Sequence, residues 1–134
     1  MHQPARSAAP GLDRVWSLAR GWSEYSRTRT FAGGWFFRAV ETETDSRPGP
    51  VRDAVVAVRR EWDGYLAHHV ALAVEAGDLA AGTEPDQVVF EVVGLLGAAN
   101  DRSLLLDDAT ADDRALRAVR ALLVGRGADP ARLP

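Results

Sequence analysis

Two histidines stand side by side at His68 and His69, and no other residues come closer to a metal or acid–base site. Adjacent positions on a helix point about 100° apart, so this pair cannot chelate one ion. Glu41, Glu43 and Asp45 place carboxylates close together, as paired acids would be, yet they sit beside a turn at a polar helix end. There is no HExxH, no glycine-rich phosphate loop and no serine in a nucleophile motif. Cysteine is absent, which removes disulfides, zinc–thiolate sites and thiol nucleophiles. The chain does not read as an enzyme: no catalytic residue, metal site or cofactor is expected.

What remains is binding chemistry. His69 lies at the centre of an apolar helix stripe, and Asn100 is a polar residue on an otherwise apolar helix. Each has two readings. It is either a core residue hydrogen-bonded to backbone or a neighbour, or a polar anchor that orients a molecule in an apolar pocket. Trp16, Trp22, Trp35, Phe36, Trp62 and Tyr65 divide in the same way between core and ligand box. A cavity, if present, is expected between the first four helices. Its lining would be Trp16, Trp35, Trp62, Tyr65, His69, Val92 and Leu96, with His69 as the polar anchor and Asn100 nearby.

The elements that position these residues are all helical. Leu12, Val15, Trp16, Ala19 and Trp22 share one face of a helix over 12–29. Gly33-Gly34 breaks the chain before a short helix over 35–45, and Pro48-Gly49-Pro50 breaks it again. The longest helix, over 51–76, carries a main stripe of Val51, Val55, Val58, Trp62, Tyr65, Leu66, His69, Leu72, Ala73 and Ala76. A second apolar line (Val56, Ala67, Val70, Val74) makes it the central strut, and Gly77 ends it as a left-handed cap. Thr83 to Asp86 has capping-box spacing and opens a helix over 86–106; Thr110 to Asp113 has it again and opens the last helix. No strand alternation or repeat occurs, so five helices in one all-α domain are expected. Residues 1–10 read as a disordered lead-in, 11–125 as the domain, and 126–134 as a frayed tail.

Composition fits that picture. The 134 residues are 46% hydrophobic and 26% charged, which suits a single globular domain with a real core. The apolar runs are too short and interrupted to span a membrane. Residues 1–11 lack the apolar core of a secretory signal, so a cytoplasmic location is expected. A net charge of −3 with no basic face argues against duplex DNA as a direct partner.

The helix over 86–106 is apolar nearly all round. Val88, Val92, Leu95, Leu96 and Ala99 supply bulk for the chain's own core, on a face that Leu106 shares. The opposite side, Phe90, Gly94, Gly97, Ala98 and Asp101, is mostly small. Small residues let two helix backbones approach closely, so that side is expected to meet a second copy in a homodimer; the competing reading is that it packs against the first or last helix of the same chain.

The wording of several stretches resembles the C-terminal regulatory domain of TetR-type transcriptional repressors. The stretches are Phe31-Ala-Gly-Gly-Trp-Phe-Phe through Arg47-Pro-Gly-Pro-Val-Arg-Asp53, Glu61-Trp62, Glu75 to Leu79, Pro85-Asp86-Gln87, Gly94 to Asn100, and Arg114-Ala115 to Ala118. Many relatives have Cys where Trp35 stands. The resemblance implies an all-helical fold, a small apolar ligand between the central helices, and dimerisation through the last two helices. On that basis Leu116, Val119 and Leu123 would complete a four-helix interface. It also implies that ligand binding changes the separation of two N-terminal helix-turn-helix domains. The expected role is a ligand-sensing, dimerising regulatory domain without its own helix-turn-helix, either a fragment of a longer regulator or a stand-alone derivative. The alternative is a helical interaction protein that pairs with intact relatives.

Overall fold

In the computed structural model, residues 8–28 and 48–134 are described. They form four α-helices, α1 Leu12–Thr28, α2 Pro50–Glu75, α3 Pro85–Leu106 and α4 Ala111–Gly125, and a 3-10 helix, Pro130–Arg132. No strand occurs among the described residues, so the all-α class stands. The helix expected over 35–45 lies outside them.

Proline and charge, rather than side-chain caps, start these helices. Pro50 and Pro85 each open a helix within its first turn, where a missing N–H costs nothing. The capping box expected from Thr83 does not form: Glu84 is the N-cap, and no side chain bonds the first turn. Thr110 is the N-cap of α4, but its hydroxyl donates to Asp108 Oδ1 at 2.6 Å instead. Asp86 in α3 and Asp112 and Asp113 in α4 place negative charge at the positive helix ends. Gly77, at φ 80°, turns the chain out of α2. The Asp78 and Leu79 amides then bond back to the Ala73 carbonyl at 2.9 and 3.2 Å.

α1 runs antiparallel to α2, since Gly11 meets His69, Arg14 meets Tyr65 and Trp22 meets Trp62. α3 lies between α2 and α4 with its broadest contact to α4, and α1 packs against all three. Leu12, Val15 and Trp16 from α1, Leu66 and Val70 from α2, Val88, Val92 and Leu96 from α3, and Val119 and Leu123 from α4 are each 5% exposed or less. Each such side chain stabilises the fold by about 1.5–3 kcal/mol through burial.

Two expectations about burial fail. Val51 and Val58, read as part of the buried stripe of α2, are 59% and 47% exposed. Val55, between them on the same stripe, is 8% exposed, so sharing a stripe does not fix burial at this end of α2. Leu106, placed on the core face of α3, is 62% exposed at the terminal turn, just before Asp107 takes a left-handed conformation at φ 51°.

The tail over 126–134 is not frayed. Leu133 and Ala128 are buried, and Arg126 O accepts from the Ala80 amide at 2.7 Å. Gly127, at φ 100°, takes a backbone conformation that favours glycine, and a Cβ there would lie 3.2 Å from the Ala80 nitrogen, a tight contact. Arg120 of α4 donates to Leu133 O at 2.8 Å. Arg132 reaches Asp13 of α1 at 2.8 Å and Asp78 of the α2–α3 loop at 2.6 Å. The tail thus ties three elements together.

Candidate functional site

His69 is where polarity enters the interior of α2. It is 5% exposed, and its Nδ1 accepts the buried Gly11 amide at 3.2 Å. An acceptor nitrogen carries no proton, so the neutral ring holds its proton on Nε2 and can only donate from there. The Tyr65 ring packs edge-on at 4.8 Å and His68 at 5.2 Å between centroids. Burial, then the Arg14 charge, then His68 hold the His69 imidazole below its ordinary pKa. Arg14 is itself fixed, donating to Tyr65 Oη at 2.8 Å and to the Ala8 carbonyl at 2.7 and 3.0 Å.

The other residues expected at a ligand site are divided. Trp16 is buried, and its Nε1–H is taken by the Pro134 carbonyl at 3.2 Å, so its polar edge serves the tail. Val92 and Leu96 are core residues, and Asn100 is buried on α3 at 7% exposure. Trp62 is half-buried, its ring 6.2 Å from that of Trp22 and tilted by 32°. Tyr65 is 39% exposed, and Trp35 lies outside the described residues. The structure therefore joins His69 and Tyr65 at the α1–α2 contact and leaves Trp62 one step along it.

One polar residue on this face escaped the sequence reading. Ser23 is 1% exposed and its hydroxyl has no hydrogen-bond partner among the described residues. It falls four residues after Ala19 and seven after Trp16, so helical spacing alone places it on the buried side of α1. Among the described residues, no group of three or more His, Cys, Asp or Glu is placed to hold a metal ion. None of the described helices is long and apolar enough to cross a membrane.

The face of α3 expected at a dimer contact is largely open. Phe90 is 76% exposed, and Gly94, Ala98 and Asp101 are exposed with it. Leu105, not assigned to this face from sequence, is 82% exposed and continues the same line at helical spacing. A groove of about 370 Å³ flanks Phe90 on the side of Arg59 and Asp63, and another of about 390 Å³ runs from Leu95 and Ala98 to Ala111 and Ala115 of α4. Three residues expected here point inward instead. Gly97 is buried, and Val119 and Leu123 are 0% exposed in the chain's own core. Their side of α4 faces α1 and α3, whereas Leu116 is half-buried.

Residues 11–119 match the family described as tetracyclin repressor-like, C-terminal domain. No match is found among curated proteins.

Proposed function

Because the chain belongs to the tetracyclin repressor-like C-terminal domain family, we propose that it is the ligand-sensing and homodimerising part of a transcriptional regulator of that type. The observation that carries this reading is the ridge of Phe90, Gly94, Ala98, Asp101 and Leu105, with Phe90 76% and Leu105 82% exposed. Phe90 and Leu105, large apolar side chains standing in solvent at the two ends of one helix line, support a surface made for a partner. Gly94 and Ala98 in the middle of that line let a second α3 approach closely. A two-fold copy of the ridge covers it with itself, while Leu116 and the α3–α4 groove border the contact.

In this reading the sensed molecule is small and mainly apolar. His69 can anchor it only through Nε2–H, so the molecule presents a hydrogen-bond acceptor there. Sedimentation velocity on the purified chain at micromolar concentration tests the assembly. A species of twice 14.5 kDa is expected, and a stable monomer overturns the reading.

A further inference from the structure

The contact that seats the beginning of α1 on α2 is made by a titratable ring. The Gly11 amide points at His69 Nδ1, both groups are buried, and the bond is 3.2 Å long. Gly11 has φ 92°, and a Cβ there would sit 3.5 Å from the Ala73 backbone nitrogen. The backbone of α1 thus enters directly against the backbone of α2. The next turn repeats the contact, with Arg14 bonded to Tyr65 Oη at 2.8 Å.

We propose that His69 is an acid-released latch: α1 docks on α2 only while Nδ1 is unprotonated, and protonation frees the Gly11 end of α1. The chemistry requires two donors to face each other once Nδ1 gains a proton, because the Gly11 N–H cannot turn away without leaving α2. The lost bond then leaves a buried amide without an acceptor. The groups facing the ring offer a new cation no compensation. From α1 the charged group is Arg14, and from α2 the neighbours are His68 and Tyr65. The nearest carboxylate on α1, Asp13, is engaged by Arg132. The docked state therefore favours the neutral ring, and stability of docking falls as pH drops below the ordinary histidine range near about 6.5. This inference concerns one helix contact within a single chain and stands apart from dimerisation.

The test is amide hydrogen exchange and side-chain nitrogen NMR on the full 134-residue chain between about pH 7.5 and pH 5. At the upper pH, Nδ1 reads as unprotonated and the Gly11 amide is protected. Once exchange rates are corrected for intrinsic pH dependence, Gly11 protection falls at least ~10-fold at the lower pH. Protection of Ala80, bonded to Arg126 O across the molecule, does not change. His69→Asn places an amide oxygen where Nδ1 was, so it keeps Gly11 protected at both pH values. His69→Ala loses that protection at both. A wild-type chain whose Gly11 protection is the same at both pH values, or whose loss is matched by His69→Asn, overturns the proposal. A monomer in sedimentation with the latch intact would overturn the dimer reading alone.

Discussion

The ridge of α3 and the tail after Gly125 are opposite in composition and opposite, the wrong way round, in burial. α3 is the most apolar helix, yet Phe90 and Leu105 stand 76% and 82% in solvent. The tail is rich in Gly, Pro, Asp and Arg, yet Leu133 is 0% exposed and Ala128 4%. The difference lies in what each segment can satisfy within one chain. The α3 backbone bonds are complete inside the helix, so its outer side chains need nothing further from the fold. The tail's own bonds are those of its short turn, from the Ala131 and Arg132 amides to Asp129 and from the Leu133 amide to Pro130. It gains the rest of its order by giving carbonyls to Ala80, Trp16 and Arg120 and its Arg132 to two acids. Burial follows from topology and polar pairing as much as from hydrophobicity.

The largest expected effect comes from breaking the tail. Leu133→Ala removes a fully buried side chain from the core and should cost about 2–5 kcal/mol; Leu133→Asp should cost more, because the charge would be buried without a partner. Urea denaturation measures both. A loss below about 0.5 kcal/mol for Leu133→Ala would mean the tail is decoration and the comparison collapses.

Substitution on the ridge should act with opposite sign on fold and assembly. A Cβ at Gly94 meets nothing within 4 Å, so Gly94→Arg fits the isolated chain. It should even stabilise that chain by about 0.5–1 kcal/mol, since Gly is a poor helix former, while converting the dimer to a monomer in sedimentation. Gly97→Glu is a poorer probe, because Gly97 is buried and the change would damage fold and interface together. Retention of the dimer by Gly94→Arg would move the interface off this ridge.

How much of this was legible follows the physics of each signal. The four described helices were readable because Leu12, Pro50, Pro85 and the Thr110–Asp113 segment announce their starts and the apolar period persists for several turns. Period tells which residues share a face but not which face meets a neighbour. That is why Leu105 escaped the reading, and why Val119 and Leu123 were placed at the interface by the resemblance alone. The tail was illegible for a different reason, since nine residues held by backbone carbonyls and one bifurcated arginine carry no periodicity. His69 was legible as a buried polar residue, but its partner, the Gly11 amide, is a backbone group with no side chain to mark it.

A smaller effect is expected from Arg132→Ala. The arginine bridges Asp78 and Asp13, and those hydrogen bonds raise its already high pKa. Its side chain is 36% exposed and the acids are 29% and 40% exposed, so water and salt screen both pairs. The loss should be about 1 kcal/mol or less and should shrink at high salt. A larger loss that is screened away at high salt would show that the tail is held by charge rather than by Leu133.

The smallest effect sits at the turn between ridge and core, where α3 hands the chain to α4. Asp108 Oδ1 accepts from the Thr110 hydroxyl at 2.6 Å and the Thr110 amide at 3.0 Å, and Oδ2 accepts from Arg102 Nε at 3.0 Å. The Thr110 hydroxyl bond first, and then Arg102, pull the carboxyl down from 3.8 to about 2. The folded pKa lies below the unfolded one, so the contribution is present above the unfolded value and is lost as pH falls from there toward about 2. The Asp108 side chain is 15% exposed and bonds only within its own turn, so its effect should be local: Asp108→Asn should loosen the Thr110 amide in hydrogen exchange while leaving the urea midpoint unchanged. A carboxyl carbon titration by NMR checks the bonds directly. A midpoint near the unperturbed 3.8 would mean that the turn does not hold its bonds in solution, and that α3 and α4 are kept in register by core packing alone. A midpoint near 2 also separates this acid response from that of His69, which sets in below the ordinary histidine value of about 6.5. Loss of Gly11 protection below about pH 6.5 then cannot be attributed to the α3–α4 turn.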